Sequence, residues 1–235
     1  MIDIHSHVLP GIDDGSRSLA ESLEMLKKME NIGFTDIICT PHYIENTKYI
    51  YNNTQKERIL NIVQYAARQA GLKINLHPGN EVFVSNNLRA LAAAGQISTL
   101  NKTTILFELP RETKINNLND LVFDVRLHGY DLILAHPERY LEFQKNPALT
   151  IELHKKGVRF QCNYSSIRGY YGKESKRLAK FLFKNHLVDY LGTDIHHANS
   201  SFYEEFPKIR RKITKLAGEG YMKILDRNAK VLLNA

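Results

Sequence analysis

Seven short apolar runs, each followed by a stretch of helical periodicity, set the strongest limit on what this chain can become. The runs fall near residues 2–7, 36–42, 73–77 (continuing through Pro78-Gly79 to Glu81), 103–108, 131–136, 158–163 and 188–194. Between them the spacing predicts helices near 18–32, 54–70, 86–94, 117–128, 147–156 and 174–185, with two basic helices near 201–217 and 219–233 closing the chain. The first helix shows the logic: Leu19, Leu23, Leu26, Met29 and Ile32 recur at helical spacing, and Gly33 stops the run. Strands alternating with helices predict a parallel sheet, either open or closed into a barrel.

The polar residues choose between the two. His5 and His7, His42, Glu81, Glu108, His136 with Arg139, and Asp194 with His196 all stand at or just past the C-terminal ends of their strands. In a barrel those ends converge on one mouth, where such proteins build their sites. In an open sheet the edge strands lie too far apart to share one. The expectation is therefore an α/β fold, a distorted (βα)7 barrel, formed by residues 1–235 as a single domain.

The residues gathered at the mouth define its chemistry. In an extended strand, residues two apart share a face, so His5 and His7 offer two imidazoles to one ion. Adding His42, His136 and His196 to Asp14, Glu81, Glu108 and Asp194 gives nitrogen and oxygen donors without a thiolate, more than one ion can use. Such a set suits two or three ions of manganese, iron or zinc, with a carboxylate bridging two of them. Without cations, four carboxylates in one cleft would repel one another. His77, His128, His154 and His186 lack the strand-end placement and stand outside the set. Asp13 and Asp14 compete for one role, since Asp-Asp-Gly is also an ordinary turn signal.

Composition narrows the setting. Residues 1–167 carry 18 Lys/Arg and 18 Asp/Glu, so the net charge of +7 resides in the last third, which favours anionic partners or simply solvated helix faces. No apolar run approaches the roughly 20 residues of a membrane span, and the first residues lack a basic-apolar signal pattern. A cytoplasmic protein without membrane insertion is expected. Cys39 and Cys162 lie in apolar runs, as small core residues of a reduced compartment. Cys162 to Arg168 fits the loose Cys-x5-Arg pattern of thiol phosphatases, but lacks the glycines that let backbone N–H groups converge on a phosphate.

His5-Ser-His7, Asp13-Asp14-Gly15, Thr40-Pro-His42, Gly79-Asn-Glu81, Phe107-Glu108, His136-Pro-Glu-Arg139-Tyr140 and Thr193-Asp-Ile-His196 together resemble the polymerase-and-histidinol-phosphatase (PHP) superfamily. Within it they look most like the protein-tyrosine phosphatases of bacterial capsular and exopolysaccharide operons. The resemblance is collinear from residue 2 to about 197. It implies the PHP fold and a trinuclear manganese site. His5, His7, Glu81 and Asp194 would hold the first ion, and Glu81 would bridge to a second held by Glu108 and His136. Asp14, His42 and His196 would hold the third.

By the same resemblance Arg139 clamps phosphate. Apart from the resemblance, His197 is the candidate general acid. The implied substrate is the phosphotyrosine tail of an autophosphorylating bacterial tyrosine kinase that regulates polysaccharide export, with no nucleic acid expected. A histidinol-phosphate phosphatase, a nuclease and a metal-binding protein without turnover are the rival readings. One departure stands out: the second arginine usual after the Asp-x-His motif is missing, with none before Arg210.

Overall fold

The computed structural model describes residues 1–112 and 117–234. Its elements run β1 (Ile2–Ser6), α1 (Leu19–Asn31), β2 (Asp36–Cys39), β3 (His42–Tyr43), α2 (Asn53–Gln69), β4 (Asn75–Pro78) and β5 (Glu81–Phe83). Then follow α3 (Leu88–Ala93), β6 (Thr104–Glu108), α4 (Leu118–Leu127), β7 (Asp131–Ala135), α5 (Leu141–Lys145) and α6 (Ala148–Lys155). The chain ends with β8 (Arg159–Asn163), α7 (Lys173–Lys184), β9 (Tyr190–Gly192), α8 (Phe202–Ala217) and α9 (Glu219–Asn234).

All strand pairs are parallel, in the order β1-β2-β4 and β3-β5-β6-β7-β8-β9. Two bends explain why seven sequence runs give nine strands. Thr40-Pro41 separates β2 from β3, and Gly79-Asn80 separates β4 from β5, so each run starts in one sheet and finishes in the other. Pro41 has no N–H for a ladder. Gly79 lies so close to its neighbours that an added Cβ would meet Ile38 Cγ2 and Leu100 Cδ2 at 2.8 Å. On the far side, His7 N–H donates to Ile195 O (3.0 Å) and Asp194 N–H to His5 O (2.9 Å), joining β1 to the segment after β9. The sheet thus wraps round as the expected distorted barrel.

A polar post holds the two bends together. The Lys56 ammonium, fully buried on α2, donates to Gly79 O (2.8 Å) and to the Asn80 side chain. Asn80 Nδ2 reaches Pro41 O (3.1 Å) and the Tyr51 hydroxyl (2.9 Å), and Tyr51 donates to His42 O (2.7 Å). Burial pulls the Lys56 pKa down to about 7. No carboxylate pairs with it among the described residues, so carbonyl oxygens satisfy its donors.

Most apolar side chains pack between strands and helices, as the amphipathic faces dictate. A smaller cluster of Ile4, Ile38, Leu106, Ile133 and Ala135 comes from β1, β2, β6 and β7, so residues of both sheets meet across it. Ala229 and Leu232 of α9 join this cluster. The ligand-rich strand ends are left open at the other side.

The predicted helices match the observed ones within two residues at each end. Sequence periodicity missed α5, whose five residues make little more than one turn, and the 3-10 turns at Pro137–Arg139 and Tyr164–Arg168.

Candidate metal centre

The His5 and His7 imidazoles leave β1 with their Nε2 atoms 3.2 Å apart. The strand carries a register shift between Asp3 and Ser6, a device that re-aims side chains beside sites. Each ring is held from behind. His5 Nδ1 lies 2.8 Å from Gln161 Oε1, and His7 Nδ1 lies 2.7 Å from Asp13 Oδ2. Both acceptors require a proton on Nδ1, which leaves the Nε2 lone pair facing the centre.

Asp13 and Asp14 therefore divide the work. Asp13 is held inside the turn by Gly15 N–H (2.9 Å) and also accepts the His42 N–H (3.0 Å). Gly15 makes this turn possible, since a Cβ there would meet His7 O at 2.2 Å. Asp14 points into the centre, with Oδ1 3.5 Å from His42 Nε2 and 3.6 Å from His196 Nε2.

Glu81 occupies the middle. Its Oε2 lies 3.2 Å from His5 Nε2, 3.4 Å from His7 Nε2 and 3.0 Å from His42 Nδ1, while Oε1 lies 2.7 Å from His136 Nε2. Glu108 Oε1 stands 3.1 Å from His42 Nδ1, and Asp194 Oδ1 is 3.5 Å from His7 Nε2. Three groups of potential ligands emerge: His5, His7 and Glu81; His42, Glu81 and Glu108; and His7, Asp14, His42 and His196. His42 faces two groups through its two nitrogens, although the sequence resemblance placed it with one ion.

The electrostatics follow from this crowding. Burial resists charge on His5 and His7, yet the neighbouring carboxylates outweigh it and hold both above the usual imidazole range. Burial likewise opposes the proton on His42, but Glu81 and Glu108 push its pKa up to about 10. Burial alone would raise Glu81 and Asp194; the surrounding imidazoles, with Arg139 beside Asp194, press both well below the ordinary carboxylate range.

Yet His42 Nδ1, Glu81 Oε2 and His136 Nδ1 are buried without any hydrogen-bond partner. Buried polar atoms are normally satisfied, and exceptions mark ion sites or functional strain. Of these, His42 Nδ1 and Glu81 Oε2 face each other at 3.0 Å without a hydrogen bond, an arrangement that suits a shared cation. The mixed nitrogen and oxygen donors fit divalent first-row metals.

Two proposed ligands sit on strained backbone: His136 has φ 36° and Asp194 φ 52°. Left-handed non-glycine residues are uncommon and gather at sites. The remaining histidines have other work, as expected. His77 pairs with Asp36 (3.0 Å), His154 with Asp189 (2.9 Å), His128 bonds Asp124 O (2.8 Å) and His186 stacks on Tyr221.

Above the ligands opens a cavity of about 540 Å³ whose lining includes Arg139, Arg111, Tyr170, Tyr171 and His197. Arg139 Nη1 donates to Asp194 Oδ2 (2.6 Å), and its guanidinium lies 4.4 Å above the Tyr171 ring. Asn163 Nδ2 holds the same Asp194 oxygen at 2.7 Å. Arg111, on the loop after β6, supplies a second guanidinium that sequence spacing did not reveal. Its backbone is fixed by Leu141 N–H donating to Arg111 O (3.1 Å). His197 Nδ1 lies 3.5 Å from Glu21 Oε1.

Tyr51 supports the bends, and Tyr49 stands 6.0 Å from the His42 ring, near the centre. Gln161 and Asn163 also escaped the sequence reading, because single polar residues at strand ends carry no motif; Tyr171, on the loop before α7, did too.

The thiol route fails on geometry. Cys162 is fully buried, burial pushes its thiol far above the usual range, and Arg168 is engaged with Glu205 at 3.1 Å. Cys162→Ser is expected to retain nearly all turnover, checked by kcat on an aryl phosphate; a folded variant without turnover would restore the thiol mechanism.

A family model for capsular polysaccharide synthesis, CpsB/CapC, matches residues 1–234. The chain belongs to the CpsB/CapC family. Tyrosine-protein phosphatase YwqE of Bacillus subtilis (strain 168) is 32% identical over 241 residues, covering 99% of this chain and 91% of the relative. A crystal structure from the pair YwqE of Bacillus subtilis and CpsB of Streptococcus pneumoniae, called unique metal-dependent tyrosine phosphatases, superposes with a TM-score of 0.91 at 29% identity. It covers all of this chain and 94% of the solved one. Histidinol phosphate phosphatase of Lactococcus lactis subsp. lactis, solved with zinc, L-histidinol and phosphate, shares the fold: its TM-score is 0.62 at 15% identity, over 92% of this chain and 93% of that one. CpsB/CapC membership and these relatives agree with the PHP resemblance read from the motifs.

Proposed function

We propose that this CpsB/CapC chain is a metal-dependent protein-tyrosine phosphatase, acting on the phosphotyrosine tail of a bacterial tyrosine kinase that regulates polysaccharide synthesis. The observation that carries the reading is Glu81 Oε2, fully buried beneath the cavity, ringed by three imidazole nitrogens within 3.4 Å and bonded to none. His5, His7, Asp14, His42, Glu81, Glu108, His136, Asp194 and His196 would hold three ions: manganese by the family resemblance, with iron or zinc also suited to the nitrogen and oxygen donors. When bound, the ions supply Lewis-acid charge at the phosphoryl group and an activated water nucleophile.

The protein's own groups do the rest. Arg139 and Arg111 hold phosphoryl oxygens, for which a planar guanidinium is suited. Tyr170 and Tyr171 frame an aromatic leaving group. A phenolate leaves with a pKa of about 10, so it needs less proton donation than an alkoxide. His197, backed by Glu21, stands at the rim to protonate it.

No helix is long and apolar enough to cross a membrane among the described residues, which suits a cytoplasmic enzyme meeting the kinase tail. A panel of phosphotyrosine peptide, phosphoserine peptide, histidinol phosphate and single-stranded DNA tests the assignment. Phosphotyrosine turnover should dominate, vanish on chelation, and return better with Mn than with Mg, which prefers oxygen ligands. Full activity after exhaustive chelation, with metal analysis showing empty sites, overturns it.

A further inference from the structure

The positive charge concentrated in the last third of the chain has a definite place in the fold. The 3-10 turn Tyr164–Arg168 and the loop after it carry Ser165, Tyr170 and Tyr171, which line the cavity, with Arg168 among them. α7 starts two residues after Tyr171, and α8 starts directly after the cavity-lining Asn199, Ser200 and Ser201. The two helices pack against each other, so the seam between them opens at the cavity rim.

Lys173, Lys176, Lys180 and Lys184 recur along α7 at intervals that keep them on one side, and Lys208, Lys212 and Lys215 do the same on α8. The two rows meet. Lys212 is held below its ordinary pKa by partial burial and then by the charges of Lys176, Arg168 and Lys180 facing it. Lys176 also reaches back to the rim loop, 3.2 Å from where a Cβ on Gly169 would stand.

Nearby acids are already engaged: Glu205 bonds Arg168 at 3.1 Å, and Glu174 pairs with Arg177 at 2.6 Å. Among the described residues the side chains of Lys176, Lys180 and Lys212 have no ion-pair or hydrogen-bond partner. Facing like charges cost stability in the free protein, and a helix pair selected for stability alone would interleave acids. The charge is balanced when an anionic chain lies in the seam.

We propose that this basic seam between α7 and α8 is a docking track for acidic residues flanking the phosphotyrosine of a peptide substrate. The proposal rests on the phosphatase reading above. From Lys173 to Lys180 the track runs about 10 Å at the helical rise, a span of about three extended peptide residues. Acidic side chains a few positions from the phosphotyrosine therefore reach Lys176, Lys180 and Lys212 while the phosphate sits over the metal ligands.

The test compares three substrates with the metal-loaded enzyme: a phosphotyrosine peptide with Asp/Glu flanks, the same peptide with Ala flanks, and p-nitrophenyl phosphate. In the wild type the acidic peptide should show a kcat/KM about tenfold above the neutral one at low salt, an advantage that shrinks as salt screens exposed charges. K176E/K180E/K212E should raise KM for the acidic peptide at least about tenfold, leaving kcat and p-nitrophenyl phosphate turnover unchanged. K176Q/K180Q/K212Q should give an intermediate loss. Equal rates for the two peptides in the wild type, or unaltered KM in both variants, overturn the track. Loss of binding to phosphatidylserine vesicles in the charge-reversed variant, with peptide kinetics untouched, overturns it too and assigns the seam to a membrane surface. Failure of the phosphatase reading shows separately, as no wild-type turnover of either peptide or of the small ester.

Discussion

Glu81→Gln is expected to lower kcat/KM by at least about 100-fold and to remove at least one bound ion per chain. The amide keeps the shape and loses the charge on which the centre depends. Glu81 contributes one oxygen amid His5, His7 and His42 and the other to His136, from a position with no solvent exposure. Removing one member of a buried charged network costs about 3–5 kcal/mol, which corresponds to about 160-fold to about 5000-fold in an equilibrium or rate.

The pH dependence of the metal-free protein provides a second readout. Against burial, Glu81 and Glu108 raise the His42 pKa to about 10, above the ordinary imidazole value of 6.5. Stability from that proton is fully present below about 6.5 and is lost as pH rises towards 10. The melting temperature of metal-free Glu81→Gln should therefore fall furthest below that of metal-free wild type near pH 6, with the gap narrowing at alkaline pH. Unchanged metal stoichiometry and kinetics in this variant would remove Glu81 from the centre.

The fold was legible because its signals are local and repeated. Each apolar run carried its strand, and Leu19 to Ile32 carried the first helix at the spacing seen. What the sequence did not reveal depends on contacts between distant segments. Thr40-Pro41 and Gly79-Asn80 read as parts of continuous runs, yet they are bends that pass the sheet from one half of the barrel to the other, locked by Lys56 from a helix between them.

The candidate ligands were visible because strand ends converge in a barrel, and periodicity marks where strands end. Asp13 and Asp14 could not be separated by spacing alone; only the position of His7 Nδ1 tells them apart. Gln161 and Asn163 stayed hidden because their roles come from facing His5 and Asp194 across the barrel. Arg111 reaches the cavity wall from a different loop, a placement in space that no linear motif records.

Arg139→Ala is expected to cost about 2–4 kcal/mol in kcat/KM, the loss typical of a preorganised donor that meets developing charge. Arg139 follows His136 by three residues, so one 3-10 turn places a candidate ligand and a guanidinium on the same cavity wall. Its position is fixed from two sides, by Asp194 Oδ2 at 2.6 Å and by the Tyr171 ring at 4.4 Å. Burial disfavours its charge, but Asp194 outweighs that and keeps the group protonated.

A clamp that binds substrate and transition state alike changes KM, whereas one that tightens as phosphoryl charge redistributes lowers kcat as well. The preorganisation seen here favours a rise in KM together with a fall in kcat. Because Asn163 Nδ2 also holds Asp194 Oδ2, at 2.7 Å, the candidate ligand keeps its place when the arginine is removed, and metal content should be preserved. Arg139→Lys should recover only part of the loss, since an ammonium cannot present the planar fork. Arg111→Ala should cost less, because Arg111 is exposed and its side chain bonds no other residue among those described. The deciding measurement is kcat/KM for an aryl phosphate together with metal stoichiometry in all three variants. Wild-type kinetics in Arg139→Ala, with a large loss in Arg111→Ala, would transfer the clamp to Arg111.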